Sequence, residues 1–198
     1  MRLQGCQDSP LIDVGLINAF ALRDYLNDQN LRFDAVYTSP IKRAYNTAQL
    51  VFPHQIITRD DRIREMNFGL LEGKRISELN EEELMMYQTL WNKPEDSQGM
   101  PEGEDYDSIE ARTQDFLNDI VTKDHDKIFI MTHGFCFIML LARMLKLERK
   151  DYVSINRSVV EGCSITIVDY SDGKFTLETL GDAHFLPFRS KADYSASK

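Results

Sequence analysis

The chain has 198 residues, 42% of them hydrophobic and 28% charged, with a formal net charge of -9, enough for one domain with a sizeable core. The acidic balance excludes a surface that tracks a nucleic-acid backbone, which needs a basic face. A small anion held by a few local cations stays compatible with it. No apolar run is long enough to span a bilayer, and the first residues carry no apolar stretch of the signal-peptide kind. Cys6, Cys136 and Cys163 show no metal-ligand spacing, and reduced thiols in a cytoplasmic protein are their simplest account. No repeat, linker or boundary divides residues 1–198, so a single domain is expected.

Arg2 to Pro10 is polar, with a glycine and a proline, and reads as a loop. A helix is predicted from about Asp13 to Asn27, with Val14, Ile17, Phe20, Ala21 and Leu22 toward the core. Asp34 to Thr38 reads as a short strand. Ser39-Pro40 then looks like a helix start, serine as N-cap and proline in the first turn. Arg43 would project from that turn, beyond the strand's carboxyl end. An arginine there can hold an anion or lie on a solvated face.

Gln55 to Thr58 is a plausible next strand. Arg64 to Gly73 is a loop with two glycines and two acids; one acid could donate a proton, or the loop could be plain surface. Short helical segments are expected at Ile76 to Leu79 and Glu81 to Trp91. Pro94 to Glu104 is a loop, either a lid or an inert insertion. Asp105 to Val121 is an amphipathic helix with Ile109, Phe116, Ile120 and Val121 on its apolar side.

Lys127 to Met131 suits a strand covered on both faces. Thr132-His133-Gly134 ends it, and a helix is predicted over Phe135 to Leu147. His133 thus falls at a strand's carboxyl end and a helix's amino end, where α/β sheets place ligands and where backbone N–H groups favour an anion. It either holds a phosphate or merely caps the helix. Tyr152 to Val160 is irregular or briefly helical. Cys163 to Tyr170 and Lys174 to Leu180, joined by Ser171-Asp172-Gly173, make a hairpin. The tail from Pro187 is polar and loose. Strand-to-helix units plus a hairpin imply an α/β fold with a mostly parallel sheet.

Several segments together resemble the histidine phosphatase (phosphoglycerate mutase-like) superfamily. They are Arg2-Leu3-Gln4-Gly5 with Asp8-Ser9-Pro10-Leu11, Tyr37-Thr38-Ser39-Pro40 with Arg43-Ala44, Glu65-Met66-Asn67-Phe68-Gly69 with Glu72-Gly73, Pro101-Glu102-Gly103-Glu104, Thr132-His133-Gly134, and Gly162-Cys163-Ser164. Each is weak alone, but they keep the family's order. Asp105 stands where the family usually has serine. The loops around Glu65 and Pro101 look more like the phosphatase branch than the glycolytic mutases.

The resemblance implies a three-layer α/β/α sandwich, mostly parallel, with a C-terminal antiparallel hairpin. It implies a metal-independent and cofactor-free transfer of a phosphoryl group to a histidine and then to water. The substrate would be a small phosphorylated metabolite in the cytoplasm. Carried over, Glu65 is the proton donor, His133 the second histidine and Arg43 a phosphate clamp. Gln4, Gly5, Gly134 and Phe135 line the phosphate and substrate pocket. The family's nucleophile lies in an Arg-His-Gly motif at the end of its first strand, and that tripeptide is absent here. His54, His125 and His184 do not fit the role. The expectations are therefore that Met1 is not the natural start, that the sheet lacks the family's first strand, and that this chain is impaired or inactive alone. An exposed edge at the gap would drive association, for instance into a homodimer. Two other readings stay open: a phosphoglycerate mutase, and a non-catalytic phosphate-binding or regulatory protein.

Overall fold

The computed structural model of the chain describes residues 2–157 and 161–189. Ser158 to Val160 of the segment predicted irregular, and the tail beyond 189, lie outside the described residues. The first helix, α1 (Asp13–Asp28), leads to strand β1 (Ala35–Thr38) and helix α2 (Lys42–Val51). Strand β2 (Ile57–Arg59) is followed by single 3₁₀ turns, not by an α-helix, so the second strand-to-helix unit is incomplete. Helix α3 (Glu81–Asn92) starts at a capping box between Asn80 and Glu83. Helix α4 (Tyr106–Ile120) starts at Asp105, whose carboxylate accepts the Ser108 N–H. Strand β3 (Ile128–Met131) runs into helix α5 (Gly134–Met144). A short helix, α6 (Tyr152–Arg157), precedes the hairpin of β4 (Ile165–Ser171) and β5 (Lys174–Asp182).

The parallel strands lie in the order β2-β1-β3, with Val36 opposite both Ile57 and Phe129. Side-chain alternation sorts the two faces. Tyr37, Ile128 and Ile130 pack with Phe116 and Leu117 of α4 and with Cys136 and Leu140 of α5. Phe129 and Met131 pack on the other face, against Ala19, Leu22 and Leu26 of α1 and Val51 of α2. The result is helix, sheet, helix. Burying one large apolar side chain contributes about 1.5–3 kcal/mol, and a one-residue slip would turn Tyr37 and Ile130 to the wrong layer. A further cluster joins Phe135, Ile138 and Met139 of α5 to Leu90, Tyr106 and the loop residues Met66, Phe68 and Leu71. It backs the loop that carries Glu65.

β4 and β5 pair antiparallel, with Asp172 and Gly173 both at positive φ in the turn, as a tight two-residue hairpin requires. They form a separate two-stranded sheet. Among the described residues no strand pairs with the outer edge of β3 or of β4. Among the described residues, too, no helix is long and apolar enough to cross a membrane.

Two local readings are corrected. The buried face of α1 is Asn18, Ala19, Leu22 and Leu26, while Val14, Ile17 and Phe20 stay roughly two-fifths exposed, at 39%, 41% and 41%. The contact with Val51 sets the helix's phase through residues 19, 22 and 26, and positions 14, 17 and 20 point past it. Nor does Ser39 cap α2. The helix starts at Lys42, because Ile41 is still extended with φ -64° and ψ 130°. Lys42 N–H instead donates to the Asp8 carboxylate at 2.8 Å, a cap supplied from the 2–10 loop. Ser39 Oγ accepts the Ile41 N–H, at 3.3 Å, and also faces His133.

Candidate functional site

β1 and β3 end side by side, with Ser39 N–H donating to the Met131 carbonyl at 2.9 Å. Their carboxyl ends therefore bring Ser39, Arg43 and His133 together. His133 Nε2 lies 2.7 Å from Ser39 Oγ. Burial, and then the positive charges of Arg43 and Arg112, push the imidazole down to about 3. It is accordingly neutral at physiological pH. His133 is the residue before α5 and makes no side-chain cap, so the bland capping role is not the one it plays.

Glu65 takes that role. Its carboxylate, 6% exposed, accepts N–H bonds from Met66 at 3.0 Å, Phe135 at 3.2 Å and Cys136 at 3.0 Å. Two of these donors belong to the first turn of α5, whose partial positive charge suits an acid. Burial nevertheless dominates and raises Glu65 above the usual carboxylate range, against the three N–H donors and Arg43. Burial shifts the balance toward the protonated form, the form from which a proton donor acts.

Arg43 stands across from it in the first turn of α2. Its guanidinium donates to the carbonyls of Gln7 and Gly5, both at 2.8 Å, and more weakly to that of Gln4 at 3.5 Å. Gln4 thus contributes its backbone; its exposed side chain accepts from Ser9 Oγ at 3.2 Å. Gly5 is buried, and a Cβ there would overlap the Glu72 carboxylate and the Met66 carbonyl. Gly134 is exposed, with nothing around its Cβ direction. Phe135 contributes its N–H to Glu65 while its ring stacks edge-on against Trp91 in the core. The remaining histidines lie elsewhere. His54 and His125 are exposed, and His184 Nδ1 pairs with Asp182 at 2.7 Å.

The sequence reading missed Arg112. It projects from α4, eight residues beyond Glu104, and nothing local sets it apart from the other charges of that amphipathic helix. Its guanidinium grips Glu104 at 2.8 and 3.0 Å. It also donates to the carbonyls of Arg62, Arg64 and Glu65 at 2.7, 2.9 and 3.3 Å. Glu104 in turn accepts from Arg64 at 2.7 Å and from the Asn67 N–H at 2.9 Å. Arg112 and Glu104 together hold the loop on which Glu65 rides. Among the described residues, no group of three or more His, Cys, Asp or Glu side chains is arranged to hold a metal ion.

The two buried groups pull stability in opposite directions with pH. The His133 value is depressed from 6.5 to about 3. The unfolded chain therefore takes up a proton there as pH falls below about 6.5, and the folded one does not. His133 costs stability progressively down to about pH 3. Glu65 is raised, so its contribution is present at acid pH and is lost as pH rises past 4.5, its ordinary value. Urea midpoints of His133→Gln across pH 4 to 7, against the native chain, are expected to show a flatter acid limb. An unchanged slope would mean that His133 titrates normally.

Comparison with known proteins follows the same lines. Residues 1–183 match the model of the "Histidine phosphatase superfamily (branch 1)". The probable phosphoglycerate mutase GpmB of Proteus mirabilis (strain HI4320) is 28% identical over 194 residues, covering 93% of this chain and 87% of that protein. YhfR of Bacillus stearothermophilus superposes with a TM-score of 0.85 at 28% identity, over 93% of this chain and 91% of the other. The alpha-ribazole phosphatase from Shigella flexneri shares the fold, with a TM-score of 0.79 at 23% identity, over 91% of this chain and 88% of the other.

Proposed function

Because the chain belongs to the histidine phosphatase superfamily (branch 1), we propose that its site serves metal-independent hydrolysis of a phosphomonoester through a phosphohistidine. The observation that carries this reading is the convergence of Arg43, His133 and the buried Glu65 carboxyl at the ends of β1 and β3. Arg43 holds phosphoryl oxygens with its fork, and His133 adds a neutral donor beside it. A histidine imidazole attacks phosphorus as the bond to the ester oxygen breaks. Glu65 gives its proton to the departing alkoxide, a contribution of roughly 10²–10⁴-fold. Water then attacks the phosphohistidine and releases phosphate. The substrate is a small phosphorylated metabolite of the cytoplasm.

The family's nucleophile sits in Arg-His-Gly, which these 198 residues do not contain. His133 is held against Ser39 and is the second histidine, not the attacker. The residues in hand are therefore a binding and proton-donating half of the machinery. Alone they bind phosphate without turning an ester over. The test is to incubate the chain with 4-nitrophenyl phosphate, and separately with inorganic phosphate followed by phosphorus NMR. Phosphate binding without hydrolysis, and no label on any histidine, is expected. Hydrolysis at an ordinary enzymatic rate with label on a histidine would refute the account of the missing nucleophile. Absence of phosphate binding would refute the site.

A second reading, phosphoglycerate mutase, is favoured by the name of the Proteus mirabilis relative. Isomerised phosphoglycerate in place of free phosphate, from a form of the protein that also carries the nucleophile, would select it.

A further inference from the structure

Glu72 has no place in the chemistry proposed above, yet four backbone N–H groups converge on its carboxylate. Gly5 donates to Oε2 at 3.1 Å, Cys6 to Oε1 at 2.8 Å, Gln7 to Oε2 at 3.4 Å and Phe68 to Oε1 at 3.0 Å. Three of the donors are consecutive, so the loop forms a backbone cradle for an anion, and Glu72 fills it. Arg43 binds the other side of the same loop, through the carbonyls of Gln4, Gly5 and Gln7.

The two contacts are coupled by covalent geometry. In a trans peptide the N–H and the C=O point in opposite directions. The unit from Gln4 to Gly5 gives its N–H to Glu72 and its carbonyl to Arg43. The unit from Gly5 to Cys6 does the same. Two peptide dipoles are therefore stacked between a carboxylate and a guanidinium, positive ends toward Glu72 and negative ends toward Arg43. Further bonds hold the strap at its start: Leu3 N–H to the Lys74 carbonyl and Gly73 N–H to the Leu3 carbonyl, both at 2.8 Å. Without the carboxylate, the loop N–H groups would lose their acceptor, and the strap would be held chiefly at its ends, by Leu3 and by the Asp8 cap of α2, with its middle carbonyls less firmly aimed at Arg43.

We infer that Glu72 is a positioning residue for Arg43, acting through the Gln4–Gln7 loop whose amides it binds and whose carbonyls orient the guanidinium. Its bearing on phosphate rests on the reading of Arg43 as the phosphate clamp. The orientation of Arg43 itself does not.

The test uses the whole chain, with inorganic phosphate as the probe, and two readouts. Glu72→Gln keeps the shape and removes the charge. Its folded form is expected to bind phosphate about tenfold more weakly, the scale of one charge-assisted hydrogen bond. The nitrogen NMR signals of the Arg43 guanidinium, recorded without phosphate, are expected to broaden. Combining Glu72→Gln with Arg43→Ala should weaken binding no further than Arg43→Ala alone. Should Glu72→Gln not fold, Glu72→Ala with added formate carries the comparison: formate in the cradle restores sharp Arg43 signals. Sharp Arg43 signals and native affinity in a folded Glu72 variant would overturn the inference, as would losses that simply add. If the native chain fails to bind phosphate while Glu72→Gln still loosens Arg43, the phosphate reading falls and the positioning role stands.

Discussion

Arg43→Ala is expected to weaken the binding of inorganic phosphate by about 100-fold or more, by titration calorimetry or phosphorus NMR. A hydrogen bond to a charged group contributes about 1.5–3 kcal/mol, and a forked pair adds geometric fit to that. Arg43 is the guanidinium at the mouth of the two strand ends, and the neutral His133 cannot replace its charge. The Gln4–Gln7 carbonyls already point it, so little conformational freedom is lost when an anion arrives. Arg43→Lys separates charge from shape. A lysine restores a point charge but not the fork, so an intermediate affinity is expected. Native affinity in the folded alanine variant would remove Arg43 from the site.

The largest expected loss of stability is at Glu104. Glu104→Ala should lower the free energy of unfolding by about 3–5 kcal/mol, the cost of leaving a buried charge without its partner. The Glu104 and Arg112 side chains are each 10% exposed, and Arg64 also leans on that carboxylate. Removing it leaves Arg112 unpaired in a confined place and frees the Asn67 N–H. Whole-domain stability is about 5–15 kcal/mol, so the variant is expected to be marginal. A shift of the urea midpoint at constant slope measures the effect. Glu104→Gln, which keeps one acceptor, should lose less. A loss under about 1 kcal/mol in Glu104→Ala would make the pair an ordinary surface bridge.

The strand-end positions of Arg43 and His133 were legible in the local pattern, whereas Glu65, in a loop that could equally be plain surface, was singled out only through the resemblance. The layer order followed from the unbroken apolar run at Ile128 to Met131 and the amphipathic helix before it. Other features depend on contacts that exist only once the loops and helices have packed. Glu104 and Arg112 work as an ion pair only once α4 lies beside the Glu65 loop. Glu72 finds its four donors only when residues 4–7 fold across it. The phase of α1 could not be read either, since Val14, Ile17 and Phe20 are as apolar as the residues that are buried. The position of Val51 decides between the two faces. Ser39-Pro40 misled for a related reason: the local signal for a helix start was present, but Asp8 from a distant loop supplied the cap.

The separation of the two sheets bears on how the molecule comes apart. No ladder hydrogen bond fastens β4 and β5 to β3 among the described residues. Side chains such as Cys163, Ile165 and Phe185 beneath α1, and Val168 and Leu177 against the α5 cluster, do that work. The hairpin is thus a cooperative unit of its own. It can lift off intact, keeping its internal pairing, at the free-energy cost of its apolar contacts alone. Such opening is sub-global: it bares the flank of β3 while the three parallel strands and their helices persist. This seam runs alongside the strand that ends at His133, so the local breathing of the fold and the integrity of the site meet at one boundary.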